Sequence, residues 1–435
     1  MRFEPSGPLR GSLRPPPDKS ISHRAALLAA MGDRRTEIRR CLDAADTRST
    51  LAAVAALGAR VEAPASGPLP ERIEIEGVGL RGAGPAAIDV GNAGTLLRLL
   101  PGWLAGQGRG RWRLDGDESI RRRPVDRVAE PLRLMGARVR CREDRLPPLE
   151  VEAAALAAID YELPVASAQV KSCVLLAGLL ADGATTVRER SPTRDHTERM
   201  LAAAGAEIEC ERVEENGGYT TIRVRAAERL EPGSLEVPGD FSSAAFALVA
   251  ALVIPGSDVM LEAVGLNPTR TGLLPILTRM GAEVEAEIET EVGGEPIGRL
   301  RARASELRGT EVAGDEVPLA IDELPLLALA ACFAEGETVI RDAEELRRKE
   351  SDRIATVAAA LRALGGDVEP TADGLVAAGG GGLRGGAVSA AGDHRIAMMG
   401  AIGGLASHEG ASVEGIEAAA VSYPAFEASL TALIR

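Results

Sequence analysis

The sequence predicts an α/β protein (α+β) of two lobes, each built from three copies of one repeated unit. Three observations lead to this prediction. A helix-opening signature recurs six times at intervals of about 70 to 80 residues. A second signature, in which glycine follows a helix and precedes alternating apolar and polar residues, recurs inside the units. Proline-rich turns precede the first and the fourth unit.

Each repeat opens with a polar residue that is followed by an Ala/Leu-rich stretch of helical length. The side-chain oxygens of such residues accept hydrogen bonds from the free N–H groups of a first helical turn, which is the role of an N-cap. The six openings are Ser20, Asn92, Ser167, Asp240, Asp322 and Asp393.

The second signature gives each unit another helix and a strand. A glycine just past a helix end can take the left-handed cap conformation, and the alternation after it is typical of a half-buried strand. We therefore expect two amphipathic helices and several strands per unit. The signature occupies residues 57–63, 135–141, 204–210, 280–286 and 364–370.

The prolines indicate where the chain passes from one lobe to the other. They place residues 1–14 and 237–435 in a first lobe and residues 15–236 in a second. If the helices of each lobe point their N-termini at a common cleft, we expect the active site in that interlobe cleft. A solenoid of stacked repeats is the alternative. Solenoid repeats usually span about 20 to 50 residues, so units of this length disfavour it.

Composition excludes several classes of protein. The 435 residues carry a net charge of −14, which disfavours a general nucleic-acid binder because such proteins need a basic surface. No HExxH or CxxC motif occurs, so we expect no metal site. The apolar runs are too short for a membrane span, and no signal peptide is visible. The five scattered cysteines fit a reducing, cytoplasmic location.

Lysine is rare in this chain. Only three of the 50 basic residues are lysines, namely Lys19, Lys171 and Lys349, and the others are arginines. A lysine retained against such a bias is a candidate for a role that needs a compact, titratable ammonium group, although chance retention is the alternative.

Several predicted helix starts carry cations, and the free N–H groups and the dipole of a helix N-terminus already attract anions. Lys19, Ser20 and Arg24 share the first turns of one helix, and Gly94 allows close backbone approach at another. The segments 121–127 and 347–353 add further charge. Each motif alone has an ordinary structural explanation, such as a solvated helix face for 347–353. His23 and His196 we expect to be structural.

The ordered set of motifs resembles the EPSP synthase family. It comprises DKSISHR, GNAGTLLRLL, RRRP, SAQVKS, RDHTERM, IDELP, RRKESDRI and GDHRIAM. The resemblance implies a two-lobed inverse α/β barrel of six βαβαββ repeats, the enolpyruvyl transferase fold. It also implies transfer of the carboxyvinyl group of phosphoenolpyruvate to the 5-hydroxyl of shikimate 3-phosphate, in aromatic amino acid biosynthesis. No metal or organic cofactor, no nucleic acid and no membrane is implied, and we expect a monomer.

The resemblance also assigns residues by position. Asp322 is implied as the base, Glu350 as the acid and Lys19 as a stabiliser of developing charge. Shikimate 3-phosphate is assigned to Lys19, Ser20, Arg24, Ser167, Ala168, Gln169, Arg194, Asp322 and Lys349. Phosphoenolpyruvate is assigned to Lys19, Asn92, Gly94, Arg123, Gln169, Arg353 and Arg395.

Three positions depart from the family pattern. Ala168 replaces a second serine, Val421 replaces a lysine and Glu345 replaces an asparagine. The family is the target of glyphosate. The SAQVKS and RDHTE forms resemble its second subclass, in which tolerance is known, whereas Gly94 is the small residue that usually leaves room for glyphosate, so the sensitivity of this chain stays open. A related enzyme acting on UDP-N-acetylglucosamine is an alternative, but Glu118 stands where its reactive cysteine belongs. A non-catalytic repeat protein that binds anions is another, and the pair Asp322 and Glu350 would have no purpose in it.

Overall fold

The structure is a computed structural model that describes residues 1–64, 66–214 and 218–434. The chain divides into two compact units. The terminal unit contains both chain ends and comprises Met1–Pro16, Gly239–Thr290 and Pro296–Arg435. The inserted unit comprises Pro17–Pro238 and the short segment Glu291–Glu295.

The described residues form thirteen α-helices, in addition to short 3-10 turns. They are α1 (Lys19–Met31), α2 (Ala45–Ala56), α3 (Gly94–Ala105), α4 (Asp126–Leu134), α5 (Ala168–Gly178), α6 (His196–Ala203), α7 (Phe241–Val253), α8 (Leu273–Arg279), α9 (Glu316–Ala320), α10 (Leu324–Ala331), α11 (Arg353–Ala363), α12 (His394–Ala406) and α13 (Phe426–Leu433).

The strands are short, and most contain three to seven residues. They are β1 (Arg2–Phe3), β2 (Arg10–Leu13), β3 (Arg35–Arg39), β4 (Arg60–Glu62), β5 (Arg72–Glu76), β6 (Ala87–Asp89), β7 (Arg111–Asp115), β8 (Arg138–Arg142), β9 (Leu146–Glu152), β10 (Asp160–Glu162), β11 (Ala184–Glu189), β12 (Ile208–Val213), β13 (Tyr219–Arg225), β14 (Ser234–Glu236), β15 (Asp258–Gly265), β16 (Glu283–Val292), β17 (Glu295–Arg303), β18 (Glu311–Val312), β19 (Glu337–Ile340), β20 (Asp367–Pro370), β21 (Leu375–Ala378), β22 (Gly386–Ser389) and β23 (Ala411–Glu414).

Six small sheets repeat one topology. The inserted unit contains the orders β14-β3-β5-β4, β6-β7-β9-β8 and β10-β11-β13-β12. The terminal unit contains β16-β17-β15-β2, β18-β19-β21-β20 and β1-β23-β22. In every sheet one parallel pair is followed by an antiparallel neighbour. This repetition confirms the predicted fold class of six similar units.

The first helix of each repeat lies in the core. These helices are α1, α3 and α5 in the inserted unit and α7, α10 and α12 in the terminal unit, and every residue of α7 is buried. The expectation that both helices of a repeat are amphipathic is therefore wrong for the first helix, because sheets and other helices cover all its sides. Small residues permit this packing: a Cβ on Gly102 of α3 would lie 2.2 Å from the carbonyl oxygen of Cys173 in α5.

Three of the predicted helix openings are N-caps. Ser167, Asp240 and Asp393 each accept a hydrogen bond from the first turn of α5, α7 and α12. The other three predictions are wrong by one or two residues. Asp18 caps α1, which leaves Ser20 inside the helix. Ala93 and Glu323 occupy the cap positions of α3 and α10, so that Asn92 and Asp322 lie in the turns before them.

The glycine signature is confirmed in all five places. Gly58, Gly136, Gly205, Gly281 and Gly365 each have a positive φ between 89° and 108° directly after a helix. The strands β4, β8, β12, β16 and β20 follow.

One segment of the inserted unit comes from a distant part of the sequence. The tip of the β16–β17 hairpin, Glu291–Glu295, belongs to the inserted unit although both strands continue into the terminal unit. The buried carboxylate of Glu295 lies 2.7 Å from Nδ1 of His196 at the start of α6. A Cβ on Gly294 would lie 2.7 Å from the backbone oxygen of Arg199, so only glycine fits there.

Among the described residues, no helix is long and apolar enough to cross a membrane. In the same part of the chain, no group of three or more histidine, cysteine or acidic side chains is arranged to hold a metal ion.

Candidate functional site

The first turn of α1 presents a lysine to the surface of the inserted unit. Asp18 caps the helix by accepting from the backbone of Ile21, which orients the free N–H groups of the turn. The Nζ atom of Lys19 lies 3.2 Å from a carboxylate oxygen of Asp46, and about a quarter of the lysine side chain (26%) is exposed. The ammonium group is therefore held in place yet accessible.

Arg24 lies one turn further along α1 and is almost fully buried. Its guanidinium donates to Oγ1 of Thr197 at 2.8 Å, to Oγ of Ser172 at 2.9 Å and to the carbonyl oxygen of Ser20 at 3.0 Å. Burial lowers the pKa of Arg24 to about 10, although the nearby carboxylates of Glu198 and Asp18 oppose this effect; the charge of Arg194 adds to it. These bonds connect α1 with α5 and α6 around a cation whose bonding partners are all neutral.

The first turn of α5 carries a glutamine that connects it to α3. Ser167 caps the helix, and Ala168 is its first residue. Gln169 accepts from Nη1 of Arg98 at 2.9 Å and donates to Oγ1 of Thr95 at 3.1 Å. The N-termini of α3 and α5 therefore lie side by side.

An arginine from the basic segment 121–127 covers the start of α3. Arg123 donates to Oδ1 of Asn92 at 2.8 Å, and Asn92 donates in turn to Asp117 at 2.8 Å. A Cβ on Gly94 would lie 2.9 Å from Nη1 of Arg123. The glycine therefore leaves the space that this guanidinium fills.

Lys171 is a structural residue. It lies in α5 with only 1% of its side chain exposed, and its ammonium contacts Glu198 at 2.7 Å and Glu189 at 3.0 Å. Burial alone would lower the pKa of Lys171, but the two carboxylates outweigh it and the pKa is raised. Of the three lysines, this one supports the helix instead of facing a ligand.

In the terminal unit, Asp322 lies between two arginines. One carboxylate oxygen is 3.6 Å from Nη1 of Arg353 and the other is 3.6 Å from Nη2 of Arg395. Nη1 of Arg395 also donates to the backbone oxygen of Asp322 at 2.9 Å. The carboxylate of Asp322 therefore lies between the guanidinium groups at the starts of α11 and α12.

Arg353, the first residue of α11, is held by two further carboxylates. It donates to Asp393 at 2.8 Å and to Glu350 at 2.6 Å, and its side chain is 1% exposed. Burial alone would lower the pKa of Arg353. The carboxylates of Glu350 and Asp393 outweigh burial, so the pKa lies above the ordinary value for arginine. Asp393 caps α12, so the same carboxylate fixes both Arg353 and the backbone N–H of Arg395.

Lys349 precedes this arginine in the chain and is of intermediate exposure. Desolvation lowers its pKa, and the attraction of Asp322 offsets this effect only in part. Val421, which replaces a lysine of the family pattern, lies in a 3-10 turn and is 42% exposed.

Sequence reasoning missed a buried polar network beneath these residues. Glu323 is fully buried and accepts from Nη1 of Arg270 at 3.0 and 3.1 Å. Ser242 donates its hydroxyl to Glu323 and accepts from Arg395. The network joins the N-termini of α7, α10 and α12. An acidic residue directly after Asp322 was the available signal, but its partner Arg270 lies 53 residues away in the sequence.

Each unit therefore gathers part of the predicted set at the N-termini of its core helices. The inserted unit carries Lys19, Ser20, Arg24, Asn92, Gly94, Arg123, Ser167, Ala168, Gln169 and Arg194. The terminal unit carries Asp322, Lys349, Glu350, Arg353 and Arg395. The first group is dominated by cations and hydrogen-bond donors, and the second combines cations with carboxylates.

Comparison with known proteins identifies the family. Residues 3–430 match the family described as EPSP synthase (3-phosphoshikimate 1-carboxyvinyltransferase). The chain is 48% identical to the 3-phosphoshikimate 1-carboxyvinyltransferase of Synechococcus sp. (strain JA-3-3Ab), over all of this chain and 96% of that protein. It is 49% identical to that of Xanthomonas euvesicatoria pv. vesicatoria (strain 85-10), over 96% of this chain and 93% of the relative.

Solved structures agree with the sequence relatives. The EPSP synthase of Acinetobacter baumannii superimposes with a TM-score of 0.88 at 41% identity, covering all of this chain and 98% of that one. The chain therefore belongs to the EPSP synthase family.

Proposed function

We propose that this chain transfers the enolpyruvyl group of phosphoenolpyruvate to the 5-hydroxyl of shikimate 3-phosphate and releases phosphate. The arrangement of Asp322, Arg353 and Glu350 carries the proposal. Arg353 contacts Glu350 at 2.6 Å and Asp322 at 3.6 Å, so two carboxylates flank one guanidinium. The reaction needs such a set, because one group must remove a proton, another must supply one, and a cation must hold an anionic substrate.

The inserted unit supplies the site for shikimate 3-phosphate. In this unit, shikimate 3-phosphate is assigned to Ser20, Arg24, Ser167, Gln169 and Arg194. The reason is charge: Arg24 is buried with neutral bonding partners, so its positive charge is available to an anion. Ala168 has no hydroxyl, and the backbone N–H groups at the start of α5 remain the donors there. Lys349 and Asp322 of the terminal unit are assigned to the ring hydroxyls.

Phosphoenolpyruvate is assigned to arginines from both units. Arg353 and Arg395 present guanidinium groups whose fork geometry suits a carboxylate or a phosphate. Lys19, Arg123 and Gln169 are the assigned partners in the inserted unit, together with Asn92 and Gly94 at the start of α3. Each cluster by itself contains only part of the set of residues that the reaction requires.

The chemistry is an addition followed by an elimination. The 5-hydroxyl oxygen bonds to C2 of phosphoenolpyruvate while Asp322 accepts the hydroxyl proton and Glu350 donates a proton to C3. The elimination returns a proton from the new methyl group to Glu350, restores the double bond and expels phosphate, which takes up the proton held by Asp322. Lys19 stabilises negative charge on the tetrahedral intermediate and on the leaving phosphate.

The direct test is phosphate release from the purified chain. Release should require phosphoenolpyruvate and shikimate 3-phosphate together. UDP-N-acetylglucosamine in place of shikimate 3-phosphate should give none, because Glu118 occupies the position of the reactive cysteine of that related enzyme. Binding of both anions without phosphate release would favour a non-catalytic anion-binding protein instead.

We further propose that the chain works in the cytoplasm as a monomer. All five cysteines are free, which suits a reducing compartment. Each of the two units has its own large apolar core. Sedimentation of the purified chain at micromolar concentration should give the mass of one copy, and a dimer mass would contradict the proposal.

A further inference from the structure

The guanidinium of Arg395 is shared between two neighbouring carboxylates of the chain. Its Nη2 atom lies 3.6 Å from the side chain of Asp322, which is longer than a hydrogen bond. Its Nη1 atom donates to Ser242 and to the backbone oxygen of Asp322, and lies 3.8 Å from Glu323. The fully buried carboxylate of Glu323 and the partly buried carboxylate of Asp322 therefore both attract the side chain of Arg395.

Glu323 cannot move to follow Arg395, because it is fixed from the other side. Both of its oxygens accept from Nη1 of Arg270, at 3.0 and 3.1 Å, and Ser242 donates its hydroxyl to it. Arg270 is itself held 3.5 Å from Asp240, the N-cap of α7. Burial alone would raise the pKa of Asp240, but Arg270 and Arg395 outweigh it and the pKa is lowered, as expected for a charge-balanced interior cluster.

We propose that Glu323, held by Arg270, is a positioning residue that keeps Arg395 from pairing tightly with Asp322. This inference rests on the proposed function, in which Asp322 is the base and Arg395 binds phosphoenolpyruvate. A tight Arg395–Asp322 pair would stabilise the Asp322 anion and make it a weaker base. It would also occupy the N–H groups of Arg395 that an anionic substrate needs.

The other charged groups around Asp322 do not replace this function. Lys349 and Arg353 of the terminal unit also act on Asp322, and Glu350 contacts Arg353. Arg353 is held by Asp393 and Glu350, so loss of Glu323 leaves its partners in place. If Glu323 loses its charge, Arg395 loses one of its nearby carboxylates. The carboxylate of Asp322 is then available to pair with it more closely.

The test is Glu323→Gln, which keeps the shape of the side chain and removes its charge. The KM for phosphoenolpyruvate should rise about tenfold, the loss that one charge-assisted hydrogen bond represents. The KM for shikimate 3-phosphate should change less than twofold. The acid limb of the kcat profile should move to lower pH and the maximal kcat should fall, because Asp322 then loses its proton more readily. Glu287→Gln is the matched control, since Glu287 is also paired with an arginine, Arg299, but is 62% exposed.

A charge-balanced variant separates positioning from folding. Glu323→Gln leaves the buried Arg270 with only the more distant carboxylate of Asp240, at 3.5 Å, and this loss can unfold the chain. The double variant Arg270→Gln/Glu323→Gln removes both charges and should fold. A purely structural role predicts that the double variant regains the normal KM for phosphoenolpyruvate and the normal pH profile. The positioning role predicts that both defects remain.

Arg395→Lys distinguishes the ways in which the proposal can fail. If this variant raises the KM for phosphoenolpyruvate while the double variant does not, the positioning role of Glu323 is wrong and the assignment of Arg395 stands. If neither variant changes this KM, Arg395 does not bind phosphoenolpyruvate, and both the assignment and the positioning role are wrong.

Discussion

The two units hold their buried arginines in opposite ways. Arg24 of the inserted unit is bonded to two hydroxyls and a carbonyl oxygen, and its pKa is lowered to about 10. Arg353 of the terminal unit is bonded to Asp393 and Glu350, and its pKa is raised. An arginine without a bonded carboxylate has positive charge available for an incoming anion. An arginine bonded to carboxylates belongs to a group whose charges are balanced within the protein.

This difference indicates a division of labour. Under the proposed assignments, the inserted unit holds an anion, and the terminal unit combines anion binding with acid–base chemistry. Substitutions in the two units should therefore affect different kinetic constants.

The largest effect should come from Asp322→Asn. The variant cannot accept the hydroxyl proton, and general-base catalysis is worth about 10²- to 10⁴-fold in rate. We expect kcat to fall by that factor, as measured by phosphate release, while binding of shikimate 3-phosphate, measured by calorimetry, is largely retained. A variant with near-normal kcat would show that another group is the base and would remove the main distinction between the units.

Lys171→Met should reduce stability by about 3 to 5 kcal/mol, because it leaves Glu189 and Glu198 buried without their cation. The measurement is urea unfolding followed by circular dichroism. Arg299→Met is the control: it breaks an ion pair whose partners are 47% and 62% exposed, and such pairs contribute at most about 1 kcal/mol. Equal losses in the two variants would contradict the structural role of Lys171.

Arg24→Lys should act on binding. A lysine cannot reproduce the three bonds that the guanidinium makes to Thr197, Ser172 and Ser20. We expect the KM for shikimate 3-phosphate to rise about tenfold, which corresponds to one charge-assisted bond. The kcat at saturation should change much less. A fall in kcat with an unchanged KM would place Arg24 among the catalytic groups instead.

A further effect concerns acid stability. His23 is fully buried, its Nδ1 lies 2.6 Å from Oγ1 of Thr50, and burial lowers its pKa from 6.5 to about 3. The unfolded chain therefore binds a proton below pH 6.5 that the folded chain rejects. Stability is complete above that pH and should fall by about 1.4 kcal/mol per pH unit as the pH drops from 6.5 towards 3.

The matched variant is His23→Gln, which cannot take up a proton. Its free energy of unfolding, measured by urea titration between pH 4 and 7, should depend less steeply on pH than that of the unchanged chain. Parallel pH dependences would mean that carboxylates alone cause the acid sensitivity.

Local features of the fold were predictable from the sequence. The caps Ser167, Asp240 and Asp393 and the glycines after helices depend only on neighbouring residues, so their patterns are visible in the chain. The positions that failed are also instructive. Ser20 and Asn92 resemble caps, but Asp18 occupies that role in α1 and a residue without a side-chain oxygen, Ala93, occupies it in α3.

The interior of the candidate site was not predictable from local pattern. The local sequence suggests that Glu323 is an ordinary acidic residue at a helix start. It suggests equally that Arg270 is a surface arginine in a proline-containing loop. Their bond spans 53 residues of sequence, so only the packing of core helices reveals that both are buried. Lys171 likewise lies in a motif that the family resemblance assigns to substrate binding. Its two carboxylate partners, Glu189 and Glu198, show that it supports α5. The ligand assignments of the remaining site residues stay predictions.

The hairpin tip at Glu291–Glu295 has a consequence for attempts to dissect the protein. A fragment made from residues 17–238 alone would lack Glu295 and leave the buried His196 without that carboxylate. The polypeptide passes between the units four times, at residues 16/17, 238/239, 290/291 and 295/296. Neither unit is a self-contained gene segment, so recombination that exchanges one unit between relatives must carry this five-residue peptide with it.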